Sequence, residues 1–495
     1  MSDRFHKRLW RNAVSFSRSQ EPHASIHAVE GLRECPTCGL FQHVPRLKPG
    51  HLAECLRCGC QLARRRKTSL IGAPAAFCIT SAALYATLLI SSLMTLNVYG
   101  RENTVSLMSG PIELGHQGYG TIGVLVALVT ILMPGVIIGL MAAILYGASR
   151  PHRPDWTPRL LTWYDRLRGW SMVEVYVLGV LVAYTKLVDL ALVILQPGVY
   201  LLGGLMLSMA AVDSTFDAER IWRSRDIQPK LDDHQGHLLD VAHLDARNGV
   251  IPPVENMLSC HACNLVMAFD HAVPQEQDMG DCPRCGQILR RRKPQSLSSA
   301  TCLLVAGVVF YLPANLLPVM TYTKVGHGAP STIISGVIEL WQAGMIPLSL
   351  LVLFASITVP VLKIVALTIM IISTRLGLSW QLRHLAKLYR LVVIIGRWSM
   401  IDVFMISILV AVVHFGFLAN VTADPGMVCF ALVVILTIFA AELFDPRGMW
   451  DAAGLNGTVA GHAVDSRPPE ETPSPSGPVP HLPSSDPTDM EPGRA

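Results

Sequence analysis

The sequence predicts an all-α polytopic membrane protein with two small ribbons. It reads as a tandem repeat, in which a four-cysteine ribbon and four transmembrane helices occur twice, giving eight transmembrane helices in total. Three observations lead there. Of the 495 residues, 51% are hydrophobic and 15% charged, with a mean hydropathy of +0.41, far more apolar than an ordinary soluble domain. The apolar residues gather into blocks long enough for the ~20 helical residues that cross a ~30 Å hydrocarbon core. The chain also repeats itself at a nearly fixed spacing.

That repeat organises everything else. Cys35 returns as Cys260, Ser109-Gly110-Pro111-Ile112-Glu113-Leu114 as Ser335-Gly336-Val337-Ile338-Glu339-Leu340, and Pro134 as Pro360. Trp170-Ser171-Met172-Val173-Glu174 returns as Trp398-Ser399-Met400-Ile401-Asp402, and Phe216-Asp217 as Phe444-Asp445; the separation drifts only from 225 to 228 residues. Four crossings per copy is an even number, so both copies enter the membrane in the same orientation. They are expected to be related by a pseudo-twofold axis along the membrane normal, with any pathway lying between them.

In order, residues 1–30 are polar and lack the apolar core of a cleavable signal peptide, so insertion is expected to rely on the transmembrane helices. Residues 31–67 form the first ribbon. Residues 68–222 form the first transmembrane domain, with apolar blocks at 70–96, 120–147, 172–195 and 198–216. A linker, 223–255, leads to the second ribbon at 256–293. The second transmembrane domain, 294–445, has blocks at 297–321, 345–373, 400–420 and 425–443. Only Gln196-Pro197-Gly198 and Asp424-Pro425-Gly426 separate the last two blocks of each copy, which predicts helical hairpins. Residues 446–495, dense in Pro, Ser, Asp and Glu, read as a disordered tail.

The formal net charge is +4, and its placement follows topology. Arg64-Arg65-Arg66-Lys67 and Arg290-Arg291-Arg292-Lys293 abut the start of a block in each copy, and 149–169 and 374–397 are rich in Arg and Lys, whereas 97–119 has one Arg against two Glu. The positive-inside rule then puts both ribbons, both basic loops and both termini in the cytoplasm. Basic residues accounted for in this way give no reason to expect a nucleic-acid partner.

Cys35-Pro36-Thr37-Cys38-Gly39 precedes Cys55-Leu56-Arg57-Cys58-Gly59, and Cys260-His261-Ala262-Cys263 precedes Cys282-Pro283-Arg284-Cys285-Gly286. Paired CxxC turns at this spacing close four thiolates around one tetrahedral ion. Two structural zinc ions are expected, because a site with no open position stabilises folding and does not catalyse. Rubredoxin-like iron and thiol redox chemistry are the alternatives for the same sulfurs. Cysteines in a reducing compartment favour metal over disulfides. Cys60, Cys78, Cys302 and Cys429 stand outside both sets and read as packing residues.

Ionisable residues inside apolar blocks call for explanation. Lys186 and Asp189 share a helix face at a spacing of three, and Glu174 lies three turns below. By the repeat, Asp402 takes the place of Glu174 and His414 that of Lys186, while Lys363 stands where the first copy has Ile137. Two readings stay open: a buried structural pair with Glu174 and Asp402 at the interface, or a polar relay or anionic-headgroup site between the copies. Tyr311-Leu312-Pro313-Ala314-Asn315-Leu316-Leu317-Pro318 predicts a kink, whose freed carbonyls Asn315 can satisfy, or beside which it lines a cavity. The repeated Ser-Gly-x-Ile-Glu-Leu begins with a capping residue and predicts an interfacial helix; a re-entrant segment and a docking surface are the other readings.

The ribbons leading into Arg-Arg-Arg-Lys, the Tyr-Leu-Pro-Ala-Asn-Leu-Leu-Pro segment, Ser-Gly-Val-Ile-Glu-Leu-Trp and Gly-Arg-Trp-Ser-Met-Ile-Asp-Val-Phe together resemble the paraquat-inducible protein A family over about 30–445. The resemblance implies a bacterial inner-membrane protein that works with a periplasmic MCE-domain protein to carry phospholipids between the inner and outer membranes. It maps family zinc ligands onto Cys35, Cys38, Cys55, Cys58, Cys260, Cys263, Cys282 and Cys285, and intramembrane polar residues onto Lys186, Asp189 and Lys363. The first copy departs from the pattern in lacking the two prolines. A lipid-handling transporter subunit, possible proton coupling included, competes with a membrane redox or metal sensor and with a structural anchor for the partner. No GxxxxGK[ST] motor and no nucleophile or open metal constellation is present, so no enzyme is expected.

Overall fold

The computed structural model describes residues 26–44, 47–66, 71–98, 101–150, 154, 156–188, 192–223, 244–245, 253–269, 272–324, 327–413, 419–455 and 459–460. Among these, eight helices are long and apolar enough to cross a membrane, as the hydropathy blocks predict. Lipid offers no hydrogen bonds, so a spanning segment must satisfy its backbone internally.

The first repeat contains α1 (Gly72–Ile90), α2 (Ser109–His116), α3 (Gly120–Ala127), α4 (Met133–Ser149), α5 (Thr157–Leu167), α6 (Val173–Val188), α7 (Pro197–Thr215) and α8 (Ala218–Arg223). The second contains α9 (Ser296–Leu316), α10 (Ile333–Gln342), α11 (Ile346–Leu353), α12 (Val359–Arg375), α13 (Leu382–Gly396), α14 (Ile401–Val412), α15 (Pro425–Leu443) and α16 (Arg447–Ala452). The second crossing of each repeat is two helices joined by a π turn, Leu128–Leu132 and Phe354–Thr358. Pro134 and Pro360 stand in the first turn of the helix that follows. Each lacks the N–H that would close the preceding α-turn, and the chain widens there.

The strands are β1 (Ile26–Glu30), β2 (Leu32–Glu34), β3 (Phe41–His43), β4 (Leu52–Glu54), β5 (Gln61–Arg64), β6 (Ser92–Val98), β7 (Arg101–Ser106), β8 (Leu192–Leu195), β9 (Leu244–Asp245), β10 (Met257–Ser259), β11 (Val266–Phe269), β12 (Met320–Lys324), β13 (His327–Ser331), β14 (Ala419–Ala423) and β15 (Val459–Ala460). Each repeat carries a three-stranded antiparallel sheet on the side away from the ribbons, ordered β7-β6-β8 and β13-β12-β14. This corrects the expected helical hairpins. The third crossing stops at Val188 and Val412, and Leu192–Leu195 and Ala419–Ala423, which carry the β-branched Val193, Ile194, Val421 and Thr422, pair instead with the hairpin after the first crossing. The expected turns survive beneath these sheets. Gly198 and Gly426 pack so close to Ser92 and Pro318 that a Cβ would lie 2.4 Å from either carbonyl oxygen, which only glycine permits.

The basic segments are also more ordered than expected. They form α5 and α13, each leading through a 3-10 turn into α6 or α14. The capping assignment for Ser-Gly-x-Ile-Glu-Leu is corrected too. Thr332, not Ser335, caps α10, and the two side chains form a reciprocal capping box, while α2 begins without a side-chain cap. The chain continues in ordered form past 446, through α16 and through β15, which pairs in parallel with β3 of the first ribbon. Residues beyond 460 lie outside the described ones.

The two ribbons share a sheet, β10-β11-β1-β9, in which β1 of the first runs antiparallel to β11 of the second. The first is seated chiefly on the second repeat, and the second on both. The first ribbon's cysteines bury in one cluster with Ala366, Leu367, Met370, Leu382, Phe444 and Trp450 of the second repeat. The second ribbon's cysteines bury in a cluster that includes Phe216, Ile221 and Trp222 of the first.

Candidate functional site

All four CxxC knuckles fold alike. In each, the amide after the second cysteine donates to the carbonyl of the first: Gly39 to Cys35 (2.9 Å), Gly59 to Cys55 (2.8 Å), Asn264 to Cys260 (2.9 Å) and Gly286 to Cys282 (2.8 Å). That residue must take a left-handed conformation. Glycine does so in three knuckles, and Asn264, at φ 54°, in the fourth.

The knuckles bring Cys35, Cys38, Cys55 and Cys58 together, and likewise Cys260, Cys263, Cys282 and Cys285, all buried, with the sulfurs of each set within 4.8 Å of one another. The closest pairs, Cys35–Cys58 and Cys38–Cys55 at 3.5 Å and Cys260–Cys285 and Cys263–Cys282 at 3.5 and 3.6 Å, are far beyond a disulfide bond. They approach the ~3.8 Å edge of a tetrahedron with metal–sulfur bonds of about 2.3 Å. Both donor sets fit a closed tetrahedral site.

Between the ribbons and the second repeat lies a buried charge cluster. Glu34, beside Cys35, accepts from Arg292 Nη1 (3.1 Å) and Arg447 Nη1 (3.2 Å); Arg447 also binds Asp445 (2.8 Å), and Arg292 binds Asp451 (2.6 Å). Burial pushes the Asp445 carboxyl up, but Arg447 and Arg292 outweigh it and hold the group below the usual carboxylate range. Arg390 of α13 donates to the carbonyls of Gly59 and Cys58, both at 3.0 Å, tying the first ribbon to the second repeat. Apart from Arg447 and Asp445, two residues apart, these partners were not evident from the sequence, because each pair joins segments remote along the chain.

Within the membrane, the candidate residues separate. Asp189 and His414 lie outside the described residues. Glu174 is exposed at the start of α6. Asn315 donates to the carbonyl of Tyr311 in its own helix at 2.9 Å, so it satisfies a local backbone group. Lys363, 1% exposed, donates to the carbonyl of Gly396 at 2.9 Å and has no carboxylate partner among the described residues.

Asp402 is also enclosed, and neither of its carboxylate oxygens is hydrogen-bonded among the described residues. Its polar neighbours are Ser356, in the π turn ahead of Pro360, and Lys186 of the first repeat. Lys186 is in turn reached by Asp402 and by Glu339 of α10. Lys186 thus feels the charge of two acids of the second repeat. Ser356 and Ser399 likewise keep a buried, unpartnered hydroxyl among the described residues. Buried polar groups left unpaired cost about 1–3 kcal/mol each, and a cluster of them in one place points to a use beyond packing. Sequence reasoning missed both serines; the only signal was a polar residue inside an apolar block, one of them within the repeated Trp-Ser-Met.

The comparisons with known proteins agree with this architecture. The family model "Paraquat-inducible protein A" matches residues 71–226 and 297–454, one stretch per repeat. "Intermembrane transport protein PqiA" of Escherichia coli (strain K12) is 32% identical over 443 residues, covering 87% of this chain and 96% of that protein. "Lipophilic envelope-spanning tunnel protein A" of the same strain is 28% identical, covering 85% and 91%. "Probable intermembrane transport protein" of Haemophilus influenzae is 25% identical, covering 84% and 95%. No solved structure matches the chain.

Proposed function

Because this multi-pass membrane chain belongs to the paraquat-inducible protein A family, we propose that it is the inner-membrane subunit of a system that moves phospholipid between the inner and outer membranes. In this reading it loads lipid into, or unloads it from, a periplasmic MCE-domain tunnel protein. Its ribbons and both termini face the cytoplasm, where each ribbon holds one structural zinc ion.

The observation that carries the reading is the enclosed carboxylate of Asp402, without a hydrogen-bond partner among the described residues and within the field of Lys186 of the other repeat, in a chain that spans nearly all of a relative named for intermembrane transport. A carboxylate at this depth, without a hydrogen-bonded partner, is costly to keep unless it is used. Taking up and releasing a proton there, with Ser356 and Lys186 alongside, gives a way to couple lipid movement to a proton gradient. Lys363 holds the backbone just before the 3-10 turn that leads to Asp402, which positions the acid.

The test substitutes Asp402→Asn, Lys186→Met and Lys363→Met separately and measures lipid transport and envelope integrity at matched protein levels. Loss of transport in Asp402→Asn is expected. Wild-type transport in all three variants would sink the coupling role.

A further inference from the structure

The first repeat contains a cavity of about 440 Å³ whose counterpart in the second repeat is built from different chemistry. It lies toward the ribbon side, bounded by α1, α4, α5, α6 and α7 and by Glu442 at the end of α15. Its inner part is an apolar bed of Ile137, Ile138, Met141, Met206 and Met209, and its outer part carries Asp165, Arg166, Arg168, Glu174 and Asp213. A volume of this order, apolar below and polar above, is typical of small-molecule sites, and it suits an amphiphile's headgroup and the first methylenes of its chains.

The charges within it are unevenly matched. Arg168 Nε binds Asp213 Oδ2 at 2.9 Å, and the Tyr164 hydroxyl donates to Asp213 Oδ1 at 2.6 Å, so Asp213 is satisfied. Arg166 stacks over the Trp163 ring, 5.9 Å from its centroid. Asp165 and Glu174, both exposed, make no hydrogen bond or ion pair among the described residues. The cavity thus offers two free carboxylates and the remaining guanidinium donors of Arg168.

The second repeat has Val393, Gly396 and Ala441 at the positions of Asp165, Arg168 and Asp213. Lys363, in place of Ile137, extends its ammonium to the Gly396 carbonyl. The polar cavity is therefore a feature of one copy, not of the repeated unit.

We propose that this cavity binds the headgroup of an aminophospholipid, with the ammonium against Asp165 and Glu174, the phosphate toward Arg168, and the proximal acyl methylenes on the methionine-rich bed. Methionine suits a bed that receives chains of different shape. An anionic headgroup without an amine would add negative charge to a site that already has a carboxylate surplus. The inference rests on the lipid-trafficking reading and assigns that reading a headgroup preference and an entry site.

The experiment uses the full chain in nanodiscs of equimolar phosphatidylethanolamine and phosphatidylglycerol with identical acyl chains, and native mass spectrometry of the lipids retained on release. Phosphatidylethanolamine is expected in about fivefold excess, as charge-assisted contacts to the ammonium would give. Asp165→Asn with Glu174→Gln, isosteric changes at exposed side chains, should bring the ratio close to one at unchanged thermal stability. Met209→Trp, which fills the bed, should reduce both lipids together. Soluble O-phosphoethanolamine at millimolar concentration should displace neither. Equal retention by the wild type, an undiminished preference in the double variant, or displacement by the soluble headgroup overturns the assignment. Retention of no lipid at all overturns the lipid-trafficking reading itself.

Discussion

At the scale of single residues, Arg447 is the side chain on which most depends. It is 4% exposed and joins Asp445, on its own turn, to Glu34, beside the first metal-ligand set. Removing one partner from a buried ion pair strands the others, at a cost of about 3–5 kcal/mol. Arg447→Ala is therefore expected to lower the thermal midpoint in detergent sharply, and Asp445→Asn less so. The pH dependence follows from the Asp445 carboxyl, which is held below its ordinary value of about 3.9. Its contribution is complete above that value and is lost as pH falls through the lower, folded one. The stability gap between wild type and Asp445→Asn should hold from pH 7 to 5 and close only in strong acid; a gap that closes by pH 6 would contradict this assignment.

At the scale of elements, the repeat is legible in sequence, and how the two copies grip each other is not. In the first copy, α2 wedges against α14 so closely that a Cβ on Gly110 would fall 2.4 Å from Ser407 Oγ. Asn103 donates to the carbonyls of Ala411 and Val412 at 3.1 and 3.0 Å, capping the end of α14, and Gln117 exchanges hydrogen bonds with Val421 and Ala423 of β14. The second copy has Ala329 and Ala343 at the positions of Asn103 and Gln117, and α10 leaves Ile334, Ile338 and Trp341 exposed. Asn103→Ala and Gln117→Ala should each destabilise by about 1–2 kcal/mol, read as faster hydrogen exchange confined to α14 and β14. Uniform exchange across the protein would contradict a local clamp.

The same scale shows what sequence patterns can and cannot carry. Eight apolar blocks, four knuckles and the proline positions were readable, because each is fixed by local chemistry. The strand β8 was absorbed into an apolar block, because a strand and a helix of Leu, Val and Ile look alike to a hydropathy window, and only pairing with β6 decides between them; β14, Ala-Asn-Val-Thr-Ala, straddled the end of its block. That Lys186 and Asp402 act on each other across the repeats was equally hidden, since it depends on how the two copies dock.

At the scale of the whole molecule, the first ribbon is part of the second repeat's support. Stripping metal from Cys35, Cys38, Cys55 and Cys58 should loosen more than a peripheral module, because these cysteines share a buried cluster with α12, α13, α15 and α16. Cys58→Ser or chelation is expected to lower the midpoint for unfolding of the full chain and to raise hydrogen exchange in α13 and α16. Exchange confined to residues 31–66 would show the ribbon to be independent.

The seat of the first ribbon on the second repeat also imposes an order on biosynthesis. The first ribbon leaves the ribosome before any transmembrane helix, yet Arg390, Phe444, Arg447 and Trp450, on which it settles, all follow the seventh of the eight crossings or belong to it. Chains fold from the N-terminus as they emerge, so the ribbon must wait, without its full seat, while the membrane domain is inserted behind it. A nascent chain released before residue 450 would leave that ribbon with no place to dock, a built-in mark by which an incomplete copy is told from a finished one.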